Sequence, residues 1–185
     1  MHSFPRSRIV LFLSIATLGC AADLVSKRWV FQWLGMPLDR STWWLINGWV
    51  GFHTSLNQGA LFGFGQGLVG VFAALSVIAA VAVVVWLFVY GAADDLLLTI
   101  ALACVTGGIF GNLYDRLGLH GLVWPLGYPG QEAGTPVYAV RDWILVMIGP
   151  WPWPTFNIAD SLLVCGAGVL LWHACFSKSP AGPPD

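Results

Sequence analysis

Five small groups of charged and amide side chains stand out in a chain that is poor in charge. Asp23 and Lys27 stand four apart. Asn57 and Gly59 open the run Asn57-Gln58-Gly59-Ala60-Leu61-Phe62. Asn112, Asp115 and Arg116 follow i, i+3, i+4 spacing, Arg141-Asp142 precedes the apolar run Trp143–Ile148, and Asn157 and Asp160 stand three apart. Each group lies at the end of a long apolar stretch, where ionisable side chains are costly unless paired or used. Pairing accounts for two of the acids, Asp23 with Lys27 on one helix face and Asp115 with Arg116. Asp142 and Asp160 then remain, with Arg141 as the spare base. Two carboxylates in one low-dielectric pocket do not both ionise easily, so their pKa values split. One can then take a proton from water while the other donates one. The chemistry expected of this pair is hydrolysis.

Other chemistries fit the residues poorly. The four His (His2, His53, His120, His173) are scattered, with no His-Glu-x-x-His to hold zinc, and no Gly-x-Ser-x-Gly elbow is present. Ser26 and Lys27 are neighbours in a helical stretch and do not face one another. Cys20, Cys104, Cys165 and Cys175 each fall inside an apolar run, where thiols behave as small hydrophobes. Neither a metal nor an organic cofactor is expected. A net charge of −1 with no basic stripe leaves no electrostatic footprint for nucleic acid.

The elements that carry these groups belong in a membrane. Of the 185 residues, 57% are apolar and 9% charged, against roughly 25% charged in ordinary soluble domains, and mean hydropathy is +0.75. Four stretches, about 9–28, 68–90, 96–115 and 158–176, have the roughly 20 residues that a helix needs to cross a bilayer. The first resembles a signal peptide up to Cys20, but its apolar character continues through Trp29-Val30-Phe31, so it is read as a span. An even number of spans separates segments 29–66 and 117–156, which places both on one face. Nine of the eleven Trp fall in these two segments, which predicts an aromatic collar at the membrane interface. Trp43–Ile46, Asn47-Gly48 and Trp49–His53 predict a β-hairpin with a two-residue turn, and hence a small sheet on the bilayer surface. The Gly- and Pro-rich stretch Gly118–Pro136 predicts an irregular loop, dispensable or a lid over substrate rather than part of the core. Charge leaves the orientation open. Arg6, Arg8 and Lys178 lie on one side against Lys27, Arg28, Arg40, Arg116 and Arg141 on the other.

The motifs Gly111-Asn112-Leu113-Tyr114-Asp115-Arg116 and Phe156-Asn157-Ile158-Ala159-Asp160-Ser161 resemble the two hallmark motifs of the lipoprotein signal peptidase (signal peptidase II) family. Asp23-x-x-x-Lys27 resembles the family's first motif, with Leu24 where Gln is usual. Asn57-x-Gly59-Ala60-Leu61-Phe62 resembles the second, with Leu61 for Ala. Val140-Arg141-Asp142-Trp143 resembles the motif of the first catalytic Asp, with Trp143 for Phe and Arg141 where an apolar residue is expected. The stretch between Arg116 and Asp142 is longer than the family's.

The resemblance implies a single domain (residues 1–185) of four transmembrane helices with a small extracytoplasmic sheet, the β-cradle, on its outer face. It also implies an aspartic endopeptidase, sensitive to globomycin and free of metal, that cuts diacylglyceryl-modified prolipoproteins just before the lipidated Cys. Carried over by position, the dyad is Asp142 and Asp160. Asn57, Gly59, Asn112, Arg116 and Asn157 hold substrate or dyad geometry, while Asp23, Lys27 and Asp115 support the site. The implied setting is the bacterial inner membrane, with both termini cytoplasmic, the site at the outer leaflet, and membrane lipid and prolipoproteins as partners of a monomer. The alternative is a non-catalytic four-helix scaffold or transporter subunit, which would place its polar residues near midspan or in repeated halves. Here they lie at span ends, and no internal repeat is visible.

Overall fold

The computed structural model describes residues 6–37, 42–59 and 65–176. Helix α1 runs over Arg6–Leu34, strands β1 and β2 over Trp43–Ile46 and Val50–Asn57, and helix α2 over Val69–Phe88. A 3₁₀ turn at Ala92–Asp94 leads into helix α3 at Leu96–Arg116. Strands β3 (Val140–Ile148) and β4 (Trp151–Pro152) and helix α4 (Ile158–Phe176) follow. All four helices are long and apolar enough to cross a membrane.

Helix α3 is the hub. It packs against α1, α2 and α4 and carries more buried residues than any other helix, among them Ala101, Leu102, Ala103, Ile109 and Leu113. Glycine lets its neighbours approach. A Cβ on Gly108 would lie 2.5 Å from the Ala159 carbonyl oxygen, and one on Gly111 would lie 2.5 Å from Asp23 Oδ2. These are van der Waals overlaps that no side chain can occupy, so the polar ends of α1, α3 and α4 meet only because position 111 has no side chain. At the other end of α3, Asp95 is the N-cap, accepting the N–H groups of Leu97 and Leu98 at 2.8 and 3.0 Å. That satisfies two of the donors a helix start leaves free.

The four strands form one antiparallel sheet in the order β1-β2-β3-β4. It joins one strand pair from segment 42–57 to another from segment 140–152, so both segments lie at the same end of the bundle. The register sets Ser55 opposite Asp142 and Asn57 opposite Val140. After β4 the chain returns to β3, where Trp143 and Ile144 donate their N–H groups to the Phe156 carbonyl at 3.0 and 2.8 Å. This second pairing delivers the chain to the start of α4 directly beside Asp142.

Several expectations need correction. Helix α1 does not end near Arg28 but continues to Leu34, because Val30, Phe31 and Leu34 pack against Trp143. The hairpin loop is three residues long, with Ile46 paired to Val50, a register shift between Trp44 and Ile46, and Gly48 at φ +71°. The aromatic collar is thinner than the Trp count predicts, since Trp124 and Trp143 are buried. The stretch 117–139 is not a detached lid. Its Trp124, Val137 and Ala139 form a core cluster with Met36, Leu56, Leu122 and Tyr128 against it.

Candidate active site

The five polar groups converge at the sheet end of the bundle, and each sits where its element forces it. Asn157 precedes the first residue of α4 and accepts the N–H of Asp160 on Oδ1 at 2.8 Å. The Asp160 carboxylate reaches back to the Asn157 N–H at 3.2 Å. This is a capping box, in which two free donors of the helix start are satisfied reciprocally. Local sequence therefore places Asp160 in the first turn, half-buried. Asp142 arrives on β3 and is itself buried.

One amide connects the two acids. While Asn157 Oδ1 caps Asp160, its Nδ2 donates to Asp142 Oδ1 at 2.6 Å and to Asn112 Oδ1 at 3.2 Å. Asn112 Oδ1 also accepts from Lys27 Nζ at 2.9 Å, and its Nδ2 donates to Asp160 Oδ1 at 2.8 Å. Asn57 hydrogen-bonds the Asp142 carboxylate, while its Oδ1 accepts the Gly59 N–H at 2.9 Å. Both carboxylates are thus held by amide donors. Burial, and after it the negative field of Asp160, push Asp142 well above the usual carboxylate range. A carboxyl group in such a place retains its proton where an exposed one would lose it.

Beneath the acids lies a charge cluster that closes on itself. Lys27 pairs with Asp23 Oδ2 at 2.7 Å and with Asp115 Oδ2 at 3.3 Å. Asp115 Oδ1 also accepts from Arg141 Nη2 at 2.8 Å and Nε at 3.1 Å. Asp23 Oδ1 accepts the N–H of Ala159 at 2.9 Å, which ties α1 to the positive end of α4. Two cations balance two anions, all of them buried.

This cluster corrects two expectations about pairing. Asp115 does not pair with Arg116, and Arg141 is not spare, because Arg141 is the partner of Asp115. Adjacent residues on a strand point apart, so Arg141 turns to Asp115 and Asp142 to Asn157. Among the described residues Arg116 is the cation left to face the dyad, and both Asp160 and Asp142 act on it electrostatically. It reaches toward the Gly59 carbonyl at 3.5 Å and lies over the Phe72 ring at 5.8 Å. Phe72 gave no signal in the sequence, being one apolar residue among many in its span. Ala60, Leu61 and Phe62 of the second motif lie outside the described residues, as do Arg40 and Lys178.

The dyad lines the polar end of a cleft of about 820 Å³. Asn57, Asn112, Arg116, Asp142 and Asp160 face one end. Phe72 and Leu75 of α2 and Leu163 and Val164 of α4 wall the rest. The arrangement suits a substrate with a long apolar portion and a polar bond to be broken at its end. Among the described residues no three His, Cys, Asp or Glu side chains gather closely enough to hold a metal ion.

The sequence model of the family described as Signal peptidase (SPase) II matches residues 15–176. The lipoprotein signal peptidase of Rhodopirellula baltica is 50% identical over 171 residues, 91% of this chain and 73% of that protein. The lipoprotein signal peptidase of Polynucleobacter necessarius is 30% identical over 177 residues, covering 92% of this chain and 94% of its own. A bacterial membrane enzyme solved at 2.3 Å shares the fold, with a TM-score of 0.72 at 21% identity over 100% of this chain and 98% of that one. A second, solved at 1.9 Å, has a TM-score of 0.68 at 23% identity, covering 97% and 99%.

Proposed function

The chain belongs to the signal peptidase II family, and from that premise we propose that it is an aspartic endopeptidase of the bacterial inner membrane. It removes the signal peptide from diacylglyceryl-modified prolipoproteins by cutting just before the lipidated Cys. The observation that carries this reading is the Asn157 carboxamide, which holds Asp142 through one end and caps Asp160 through the other.

In this reading Asp142 holds the proton and Asp160 carries the charge. Asp160 takes a proton from a water in the cleft, and the water oxygen bonds to the scissile carbonyl carbon. Asp142 donates its proton to the carbonyl oxygen as charge develops there. When the intermediate collapses, the C–N bond breaks and the proton held by Asp160 passes to the leaving nitrogen. The oxygen returns its proton to Asp142, and the products are a carboxyl group and the free amino group of the Cys. Positioned acid–base transfer of this kind typically supplies about 10²–10⁴-fold. The half-buried Arg116 steadies the substrate backbone beside the dyad. The apolar walls of the cleft take the hydrophobic signal segment and acyl chains, whose exposure to water they prevent.

The chain works as a monomer in a single domain, with both termini cytoplasmic and the cleft at the outer leaflet. The assay is direct. The purified protein, returned to lipid, is given a diacylglyceryl-modified precursor and the same precursor without lipid, with and without globomycin. Mass spectrometry should find cleavage before the modified Cys only, blocked by globomycin. An uncut lipidated precursor would remove the proposal.

A further inference from the structure

The segment between α3 and β3 has two unlike sides. Its inner side is fixed in the core by Trp124, which is 4% exposed. Its outer side presents Leu117, Leu119, Val123 and Leu126, with Leu126 at 93% exposure. From Leu117 to Tyr138 the only formally charged residue is Glu132. A water-facing segment of that length would carry about five charges at the usual frequency. Leucines left in water forfeit roughly 25 cal/mol for each Å² of apolar surface that burial would cover.

The position of the segment says what covers them. It starts where α3 ends, and it lies against the first turns of α2. There an open groove of about 480 Å³ is lined by Val69, Gly70 and Ala73 of α2 and by Trp124, Gln131 and Tyr138 of the segment. Val69 begins a helix whose outward side chains, Val71 and Ile78 among them, are exposed and apolar as lipid requires. The exposed leucines therefore continue a lipid-facing surface at the level where α2 enters the bilayer.

We propose that residues 117–138 form an apron seated in the lipid headgroup layer on the dyad side of the membrane, with Leu119 and Leu126 reaching the acyl chains. Trp124 anchors it from within, and the exposed Glu132 marks its water-facing edge. The apron widens the footprint of the protein on the leaflet beside the cleft. It depends on the membrane placement of the chain and not on the peptidase reading.

The test uses the full chain in phosphatidylcholine–phosphatidylglycerol nanodiscs. A photo-crosslinking amino acid replaces Leu126, Glu132 or, as a lipid-facing standard on α2, Val81. Intact mass after irradiation should show a gain of one phospholipid at Leu126 in yield comparable to Val81, and little at Glu132. A lipid adduct at Val81 with none at Leu126 would overturn the apron. So would equal yields at Leu126 and Glu132, or a protein adduct in place of lipid at Leu126.

Discussion

Arg141 grips Asp115 through three nitrogens, with its backbone N–H at 2.9 Å, Nε at 3.1 Å and Nη2 at 2.8 Å from the carboxylate. This pair lies across 26 residues and fastens β3 to the end of α3. It turns the guanidinium away from Asp142, its immediate neighbour, and leaves the dyad without a directly bonded cation among the described residues. Arg116, next to Asp115 in sequence, is released toward the cleft.

Breaking that grip from one side should unfold the protein more readily than removing both partners. Asp115→Asn or Arg141→Met each leave the buried cluster with one uncompensated charge, at a cost of about 3–5 kcal/mol. The double variant removes both charges and should recover a large part of that loss. Thermal unfolding in detergent micelles measures this. A double variant no more stable than the worse single one would show that the pair is not the unit we describe.

How much of this was legible depends on the distance along the chain over which an interaction acts. The capping of α4 by Asn157 and Asp160, the Asn47-Gly48 hairpin and the ion pair of Asp23 with Lys27 all act within a few residues, and the sequence shows them. The Asp115–Arg141 pair does not show, because Arg116 stands next to Asp115 and only the fold excludes it. Trp124 misled for a related reason. Its Gly- and Pro-rich surroundings read as a loose lid, yet the indole reaches a cluster built with Met36 and Leu56. The three-residue hairpin loop also escaped, since Asn-Gly serves turns of either length.

Lys27 should matter beyond its charge. A lysine ammonium only donates, so Asn112 must turn Oδ1 toward it, and this aims Nδ2 at Asp160. Replacing Lys27 by Met together with Asp23→Asn keeps the charge balanced and removes the shorter of the two hydrogen bonds that orient the Asn112 amide, leaving the 3.2 Å bond from Asn157 Nδ2. A hydrogen bond to a charged group contributes about 1.5–3 kcal/mol, so kcat should fall about tenfold or more while KM for the lipidated precursor changes little. Equal losses in kcat and affinity would argue that Lys27 only supports the fold.

The raised position of Asp142 has a consequence for stability. Between the ordinary carboxylate range and its own raised pKa, the native protein holds a proton there that the unfolded chain has released. The unfolded state then binds fewer protons than the native one, so stability falls as pH rises through that window. The contribution is fully present below the ordinary carboxylate pKa and gone above the raised one. Asp142→Asn removes this slope, and its gain in unfolding temperature over the parent should grow from weakly acidic toward alkaline pH. An advantage independent of pH would mean that Asp142 is not protonated in the folded protein.

If Asp142 and Asp160 divide one proton between them to cut a peptide bond, each carboxyl group is indispensable. Asparagine keeps the shape of each side chain but cannot carry that proton, so the decisive measurement is processing of a diacylglyceryl-modified precursor by Asp142→Asn and Asp160→Asn in lipid vesicles. Each variant should be inserted, folded and at least about 10³-fold slower than the parent, as expected when a residue of an acid–base pair is removed. Turnover near the parental rate in either folded variant would show that the residue replaced does not carry the proton.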